Sequence, residues 1–399
     1  MKYIFLLSFL LIITSCKKIK ESKILCKTST KEVLHKLKES NFPIETNVSF
    51  LSNLISVNEK NYLTYELNIF NNFKTYIELE KVEIYSYSSS KLPIATFDSI
   101  YINKNIERPN LRNESKLNLI STNQFGNLNL NLEFNDSKNI PEKMYHKLYF
   151  NTLKPNGKAI AYSIETTILD IPNKTELTLG LPFNKKGKWL YEAESHKNSR
   201  FYSNGKVIYP QRFALDWIFV NDDESFAKNN IKENENWYGY GVEIVSVADG
   251  VVVDLKNDII ENEPLSNEMA VRITNKTIAG NYVVIDIGNK IHAIYGHLIP
   301  SSIKVSIGDK VKKGQVIGLL GNSGNSDLPH LHFHLESKSN TPMGEEGIPY
   351  HLKEFIQLKN YSAEEVSSFF HKNNIPLDSL YSQRKNNEFP IGYGLIEIK

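Results

Sequence analysis

Between Val48 and Ile171 the chain alternates apolar with polar residues in short runs and breaks those runs at Asn, Ser, Gly and Pro. No helical period persists, so the pattern predicts strands joined by turns. Tyr62 to Phe70 alternates through one strand, Asn71-Asn72 supplies a turn, and Tyr76 to Tyr85 alternates through the next. A second set, Lys147 to Phe150 and Ala159 to Thr166, flanks the turn signal Pro155-Asn156-Gly157. The expected fold of residues 46–178 is an immunoglobulin-like β-sandwich. No cluster of His, Cys or paired carboxylates marks this half, which points to a spacer or binding module.

Leu181-Pro182-Phe183, followed by the polar Asn184-Lys185-Lys186-Gly187, reads as a junction. Beyond it glycines and histidines become dense. Ala248-Asp249-Gly250-Val251-Val252 is a turn feeding a β-branched strand, and Tyr282 to Ile287 and Ile291 to Tyr295 flank a hairpin turn at Gly288-Asn289. Val305 to Gly318 adds short strands turned at glycines. Few long helices are available for a parallel α/β fold, so residues 179–358 are expected to form a second, mainly antiparallel β domain. The one convincing helical stretch runs from Ser362 to His371, with Ser362 placed to cap it. Residues 359–399 are accordingly expected to be a C-terminal helical tail.

A chain of 399 residues exceeds what one core usually supports. Apolar residues at 41% and charged residues at 23% are ordinary globular usage. The net charge of +2 gives no electrostatic footprint for nucleic acid. The first residues are different. Met1-Lys2-Tyr3, the apolar run Ile4 to Ile13 and then Thr14-Ser15-Cys16 have the n-region, h-region and small-residue end of a secretory signal. Ile13-Thr14-Ser15-Cys16 resembles a bacterial lipobox. That resemblance implies a signal peptide over 1–15, lipid modification of Cys16, and a protein exported and anchored to a bacterial membrane, facing periplasm or exterior. The other reading is an uncleaved signal anchor. Residues 16–45, Lys-rich from Lys17 to Lys31, would be a tether. Cys26 is the only other cysteine, so the mature chain has no internal disulfide.

The chemistry concentrates in His330-Leu331-His332-Phe333-His334-Leu335-Glu336, which follows the loop Gly321 to Pro329. Residues two apart on a strand share a face, so the three histidines point one way while Leu331, Phe333 and Leu335 point the other. Three imidazoles in a row are costly as core, whereas neutral imidazole is the commonest zinc ligand. Taken alone, the spacing fits several metal-binding β folds.

The whole stretch Asp249 to Glu336 is similar to the lysostaphin-type (LytM-like) zinc metallopeptidases. Asp249-Gly250-Val251-Val252, Gly280-Asn281-Tyr282-Val283-Val284-Ile285, Tyr295-Gly296-His297-Leu298, Gly308 to Gly318, Gly321-Asn322-Ser323-Gly324 and Pro329 to Phe333 each match an element of that family's pattern. The resemblance implies that His332 ligates Zn2+ and that His297 and His330 are catalytic. Gln211-Arg212-Phe213-Ala214-Leu215-Asp216-Trp217 looks like the segment that supplies the aspartate ligand, Asp216. Here the chain departs from the family, which usually places its first histidine ligand four residues before that aspartate, where this chain has Arg212. Arginine cannot release its proton to bind metal. His196 is the expected substitute, carried on the preceding strand. A hairpin turned at Asn204-Gly205 would set His196 opposite Phe213, about 10 Å along the strand from Asp216, so a bulge near Pro210 or a wider loop must close the gap. His334 would orient a ligand from behind. The implied activity is hydrolysis of peptide bonds in peptidoglycan cross-bridges or stem peptides. The alternative that Arg212 raises is a non-catalytic, degenerate LytM-like module that binds cell wall or activates another hydrolase.

Overall fold

The computed structural model describes residues 44–399 except 90–91, 109–110, 112–115, 136–139, 155, 198, 204–205 and 339–341. The signal peptide, Cys16 and nearly all of the tether therefore lie outside the described residues. Among the described residues, apart from two short helices and a 3-10 turn, the regular structure is β, in mostly antiparallel sheets.

In the first half, two five-stranded sheets face each other. One is built on Lys60–Asn71, paired with Ile44–Leu51 and with Phe125–Phe134. The other is built on Lys143–Leu153, paired with Ile77–Ser86 and Ala159–Asp170. Alternation decides what each sheet hides. Leu63, Tyr65, Leu67 and Ile69 from one sheet meet Ile77, Leu79, Val82, Leu148 and Phe150 from the other in a single core. The strands expected from Tyr62, Tyr76, Lys147 and Ala159 all form; three are longer than the sequence signal, and the one expected over Tyr76 to Tyr85 is shifted by one residue to Ile77–Ser86.

The second half is organised by one long sheet. Its central order is His351–Tyr361, Tyr393–Ile398, Gly187–Glu192, Leu215–Val220, Leu331–Ser337, Ile291–Leu298, Asn281–Asp286 and Gly250–Lys256. The helix Ala363–Lys372 forms where the capping Ser predicts, with a reciprocal capping box between Ser362 and Glu365. The rest of 359–399 is not helical. Tyr393–Ile398 is an interior strand between Gly187–Glu192 and His351–Tyr361, with Leu395 and Ile396 fully buried, and Gln383–Glu388 pairs alongside His351–Tyr361. The sequence conceals this because the Gln383–Glu388 strand has no apolar residue and so no alternation to read.

The halves also share packing. Ile55 and Val57 of the first half lie in the core of the second, beside Tyr350, Phe355 and Phe389. Backbone reinforces the join, since Ser56 N–H donates to His351 Nε2 at 2.9 Å and Phe389 N–H donates to the Ser56 carbonyl at 2.9 Å.

Candidate metal centre

Leu215–Val220 is buried at every position, with one antiparallel neighbour on each side. The registers place Glu192 opposite Asp216 and Asp216 opposite His332, and the next strand sets Gly296 opposite His332. A carboxylate, a second carboxylate and an imidazole thus occupy one line across three strands, next to a residue with no side chain.

His196 completes the group from a turn just past Gly187–Glu192. Its Nε2 lies 2.8 Å from Asp216 Oδ2, and His332 Nδ1 lies 2.8 Å from Asp216 Oδ1. One donor atom from each of His196, Asp216 and His332 falls within 4.8 Å of the others. The long gap expected between His196 and Asp216 does not arise. The hairpin ladder between Phe201–Ser203 and Lys206–Ile208 is only three pairs long, so it never carries His196 opposite Phe213. Two successive tight turns, Arg212 N–H to Tyr209 O and Ala214 N–H to Gln211 O, then shorten the path to Asp216. It is the pairing of Gly187–Glu192 with Leu215–Val220 that brings His196 in.

Arg212 is not in this group. Its guanidinium pairs with Glu66 of the sandwich, lies 3.8 Å from Glu346, and stacks over Phe50 and Tyr209 with its carbon 4.2 and 4.3 Å from the ring centroids. Arg212 and Glu66 are both buried.

The two other histidines are held by carbonyls. His297 Nδ1 donates to Ser323 O at 2.7 Å and His330 Nδ1 donates to Leu328 O at 2.8 Å. A carbonyl only accepts, so each neutral ring keeps its lone pair on Nε2. The rings lie side by side, centroids 4.7 Å apart, and His330 Nε2 is 3.7 Å from Asp216 Oδ1. His297 adopts a left-handed backbone at φ 63°, a strained conformation for a side-chain-bearing residue that the surrounding structure must enforce. Part of that enforcement is the Gly-Asn element. Gly280, at φ 61°, packs so closely that a Cβ there would stand 2.2 Å from Ser323 O, and Asn281 N–H donates to Ser323 Oγ at 2.9 Å. The glycine motifs therefore fix the carbonyl that His297 uses.

Behind the cluster, His332 Nε2 contacts His334 Nδ1 at 3.0 Å and Gln211 Nε2 at 3.2 Å. His334 Nε2 faces the buried Glu336 at 4.0 Å. Burial works against the Asp216 charge, but His196, His330 and His332 outweigh it and hold the carboxyl well below its usual range. Burial lowers His332, His334 and His297, the last also through its His330 and His332 neighbours, which keeps these rings neutral. His196 goes the other way: burial pulls it down, and Asp216 and Glu192 overcome that. Glu192 is raised, chiefly by burial and then by Asp216.

Glu192 lies in no motif, and Gln211, though it opens the segment that carries Asp216, has no role assigned from sequence. A fold-level signal for Glu192 exists only after the register with Asp216 is known. From the His196, Asp216 and His330 cluster a cavity of about 480 Å3 opens towards the C-terminal helix.

Residues 238–343 match the model of Peptidase family M23, the lysostaphin-like peptidases. That segment contains His297, His330, His332 and His334, whereas His196 and Asp216 precede it. The chain is 41% identical over 96 residues to the peptidoglycan DD-endopeptidase ShyA of Vibrio cholerae, covering 22% of each chain. It is 30% identical over 203 residues to an uncharacterized metalloprotease of Buchnera aphidicola, covering 46% of this chain and 48% of that one. It is also similar to a zinc containing peptidase from Vibrio cholerae of known crystal structure, at 18% identity over 72% of this chain and 82% of that one, with a TM-score of 0.23. The matches to the two curated relatives span less than half of either relative's own length.

Proposed function

We propose that this chain is a zinc metalloendopeptidase that hydrolyses peptide bonds in peptidoglycan cross-bridges or stem peptides. His196, Asp216 and His332 are its metal ligands, and His297 and His330 its catalytic histidines. The observation that carries the reading is the convergence of three donors of suitable chemistry within 4.8 Å, from three separated points of the chain. The donor set fits zinc: two imidazoles, one carboxylate kept ionised by its surroundings, and room for a fourth position on the cavity side. His334 and Gln211, bonded to the far nitrogen of His332, would fix that ring's orientation.

Zinc bound there supplies a Lewis acid for the scissile carbonyl and acidifies water. The protein's own part lies with the two carbonyl-anchored histidines. With Nδ1–H committed to Ser323 O and Leu328 O, His297 and His330 each leave the Nε2 lone pair free to take a proton from water. Once protonated, the same nitrogen donates to the developing oxyanion or to the departing amine.

Arg212 favours the non-catalytic alternative only if position 212 belongs to the site, and its guanidinium is instead engaged by Glu66. The relatives named as a peptidoglycan endopeptidase and a metalloprotease support the substrate class and the chemistry. The chain is further proposed to act on the outer side of a bacterial membrane, held by a lipid on Cys16, and Cys16→Ser is expected to release it into the soluble fraction. The test of function is joint measurement of bound zinc and cleavage of cross-linked wall peptides by the purified protein. About one zinc per chain with cleavage supports the reading, and wall binding with neither zinc nor cleavage supports the alternative.

A further inference from the structure

The cavity beside the metal cluster has a wall that no motif announces. The C-terminal helix Ala363–Lys372 presents Ser367, Phe370 and His371 to it. These are positions i, i+3 and i+4, one face of a helix. Val366 and Phe369 anchor the opposite face in the core shared with Leu190, Ile218 and Leu395. The helix is also pinned at its end. Asn373 takes a left-handed C-cap conformation, and its side chain accepts from Phe226 N–H at 3.0 Å and Ala227 N–H at 2.9 Å and donates to Ala227 O at 2.7 Å. So this wall is rigid, and it is attached through Tyr393–Ile398 to the sheet that carries Asp216.

The remaining lining sets three carboxylates against the histidines His196 and His330. Glu192, Asp216 and Asp327 contribute three carboxylates, and among the described lining residues there is no Lys or Arg. Asp216 is occupied by histidines on both oxygens. Glu192 is half-buried and lines the cleft from its register position opposite Asp216, and Asp327 is exposed, its carbonyl accepting from Leu265 N–H at 2.6 Å. A volume of about 480 Å3 suits one peptide arm of a few residues rather than a whole folded partner.

We propose that the Ser367, Phe370 and His371 face is the specificity wall of the substrate cleft, receiving a peptide arm that bears a free amino group next to the scissile bond. The assignment rests on the peptidase reading and names the substrate arm that reading leaves open. Phe370 and Leu265 cover the arm's aliphatic part, while Glu192 and Asp327 face its ammonium. An arm ending in a carboxylate would meet two like charges instead.

The test uses the full chain carrying His297→Ala, so that ligand is held without turnover. Two fluorescent peptides of equal length, identical but for one Lys or one Glu in the arm, are compared by anisotropy. The Lys peptide is expected to bind about tenfold more tightly. Ser367→Trp, a substitution at an exposed helix position that fills the cleft, is expected to weaken it at least tenfold with zinc content unchanged. Should that variant misfold, His371→Lys serves as the second probe and is expected to lower Lys-peptide affinity and raise Glu-peptide affinity. Equal binding of the two peptides, or indifference of a folded variant to either change, overturns the proposal. The two readings fail separately. A zinc-free protein whose Lys-peptide binding still depends on Ser367 loses the peptidase and keeps the cleft, whereas a zinc enzyme with unaltered affinity in both helix variants loses only the cleft.

Discussion

His196 Nε2 stands 2.8 Å from Asp216 Oδ2, although the paired strands Phe201–Ser203 and Lys206–Ile208 lie between the two residues in the chain. The contact exists because Gly187–Glu192 is paired directly with Leu215–Val220, leaving only three residues between Glu192, opposite Asp216, and His196. In the proposed site, a ligand usually supplied from within the aspartate's own segment comes instead from a neighbouring strand's turn. This frees position 212 for a different task.

That task is structural, and its removal is measurable. Arg212 and Glu66 form a buried ion pair across the two halves of the molecule. Breaking a buried pair by removing one partner typically costs about 3–5 kcal/mol, while replacing both with apolar residues of similar volume is often close to neutral. Arg212→Leu is therefore expected to lower stability by about that amount in denaturant unfolding, and Arg212→Leu with Glu66→Leu to recover most of it. Zinc content should be unchanged in both. Loss of zinc in the folded single variant would mean that Arg212 acts on the metal centre after all.

The catalytic pair separates from the ligands by what each loss removes. His297→Ala and His330→Ala are each expected to keep zinc and to lower turnover by roughly a hundredfold to ten-thousandfold, the usual range for a general base or an oxyanion donor. Steady-state kinetics beside metal analysis of the same preparations checks this. A variant of either histidine that retains turnover within a few fold is not missing a catalytic group.

Gly280 supports His297 at one remove. Its positive φ and its contact with Ser323 leave no space for a methyl group. Gly280→Ala is expected to displace the Ser323 carbonyl, reduce turnover at least tenfold and lower the melting temperature, with the three ligands still binding zinc. Unchanged kinetics in that variant would show that the Ser323 carbonyl does not set the His297 ring.

The strand bearing His330, His332 and His334 is legible in sequence because its period of two is unbroken and its apolar partners alternate with the histidines. The Asp216 segment is legible from its motif. Arg212 is not, because Glu66 lies 146 residues away and nothing local distinguishes a buried arginine from an exposed one. The end of the chain is misleading for a related reason. Tyr393–Ile398 is short, and only its pairing on both sides with strands far earlier in the chain makes it an interior strand of the main sheet rather than part of a tail. Sequence pattern carries local period well and long-range partnership poorly.

The sandwich has its own titrating group. His146 is buried between Tyr65 OH, at 2.8 Å, and the Thr167 carbonyl, at 2.8 Å, and burial lowers its pKa to about 4. Above pH 6.5 both folded and unfolded forms are neutral there. Below it the unfolded chain takes up a proton that the folded chain refuses until about pH 4, so stability present above 6.5 is lost as the pH falls. The slope is at most about 1.4 kcal/mol per pH unit, or roughly 3 kcal/mol by pH 4. His146→Gln is expected to flatten this part of the denaturation profile. Parallel profiles for wild type and variant between pH 6.5 and 4 would rule the group out.

A complete zinc site assembled without the usual histidine at position 212 is checked by metal analysis of three purified proteins. Binding weakens steeply when one of three donors is lost. Wild type is expected to hold about one zinc per chain, His196→Ala to lose nearly all of it together with activity, and Arg212→His to gain none. A wild type without zinc that acquires both zinc and peptidase activity on Arg212→His would contradict the account.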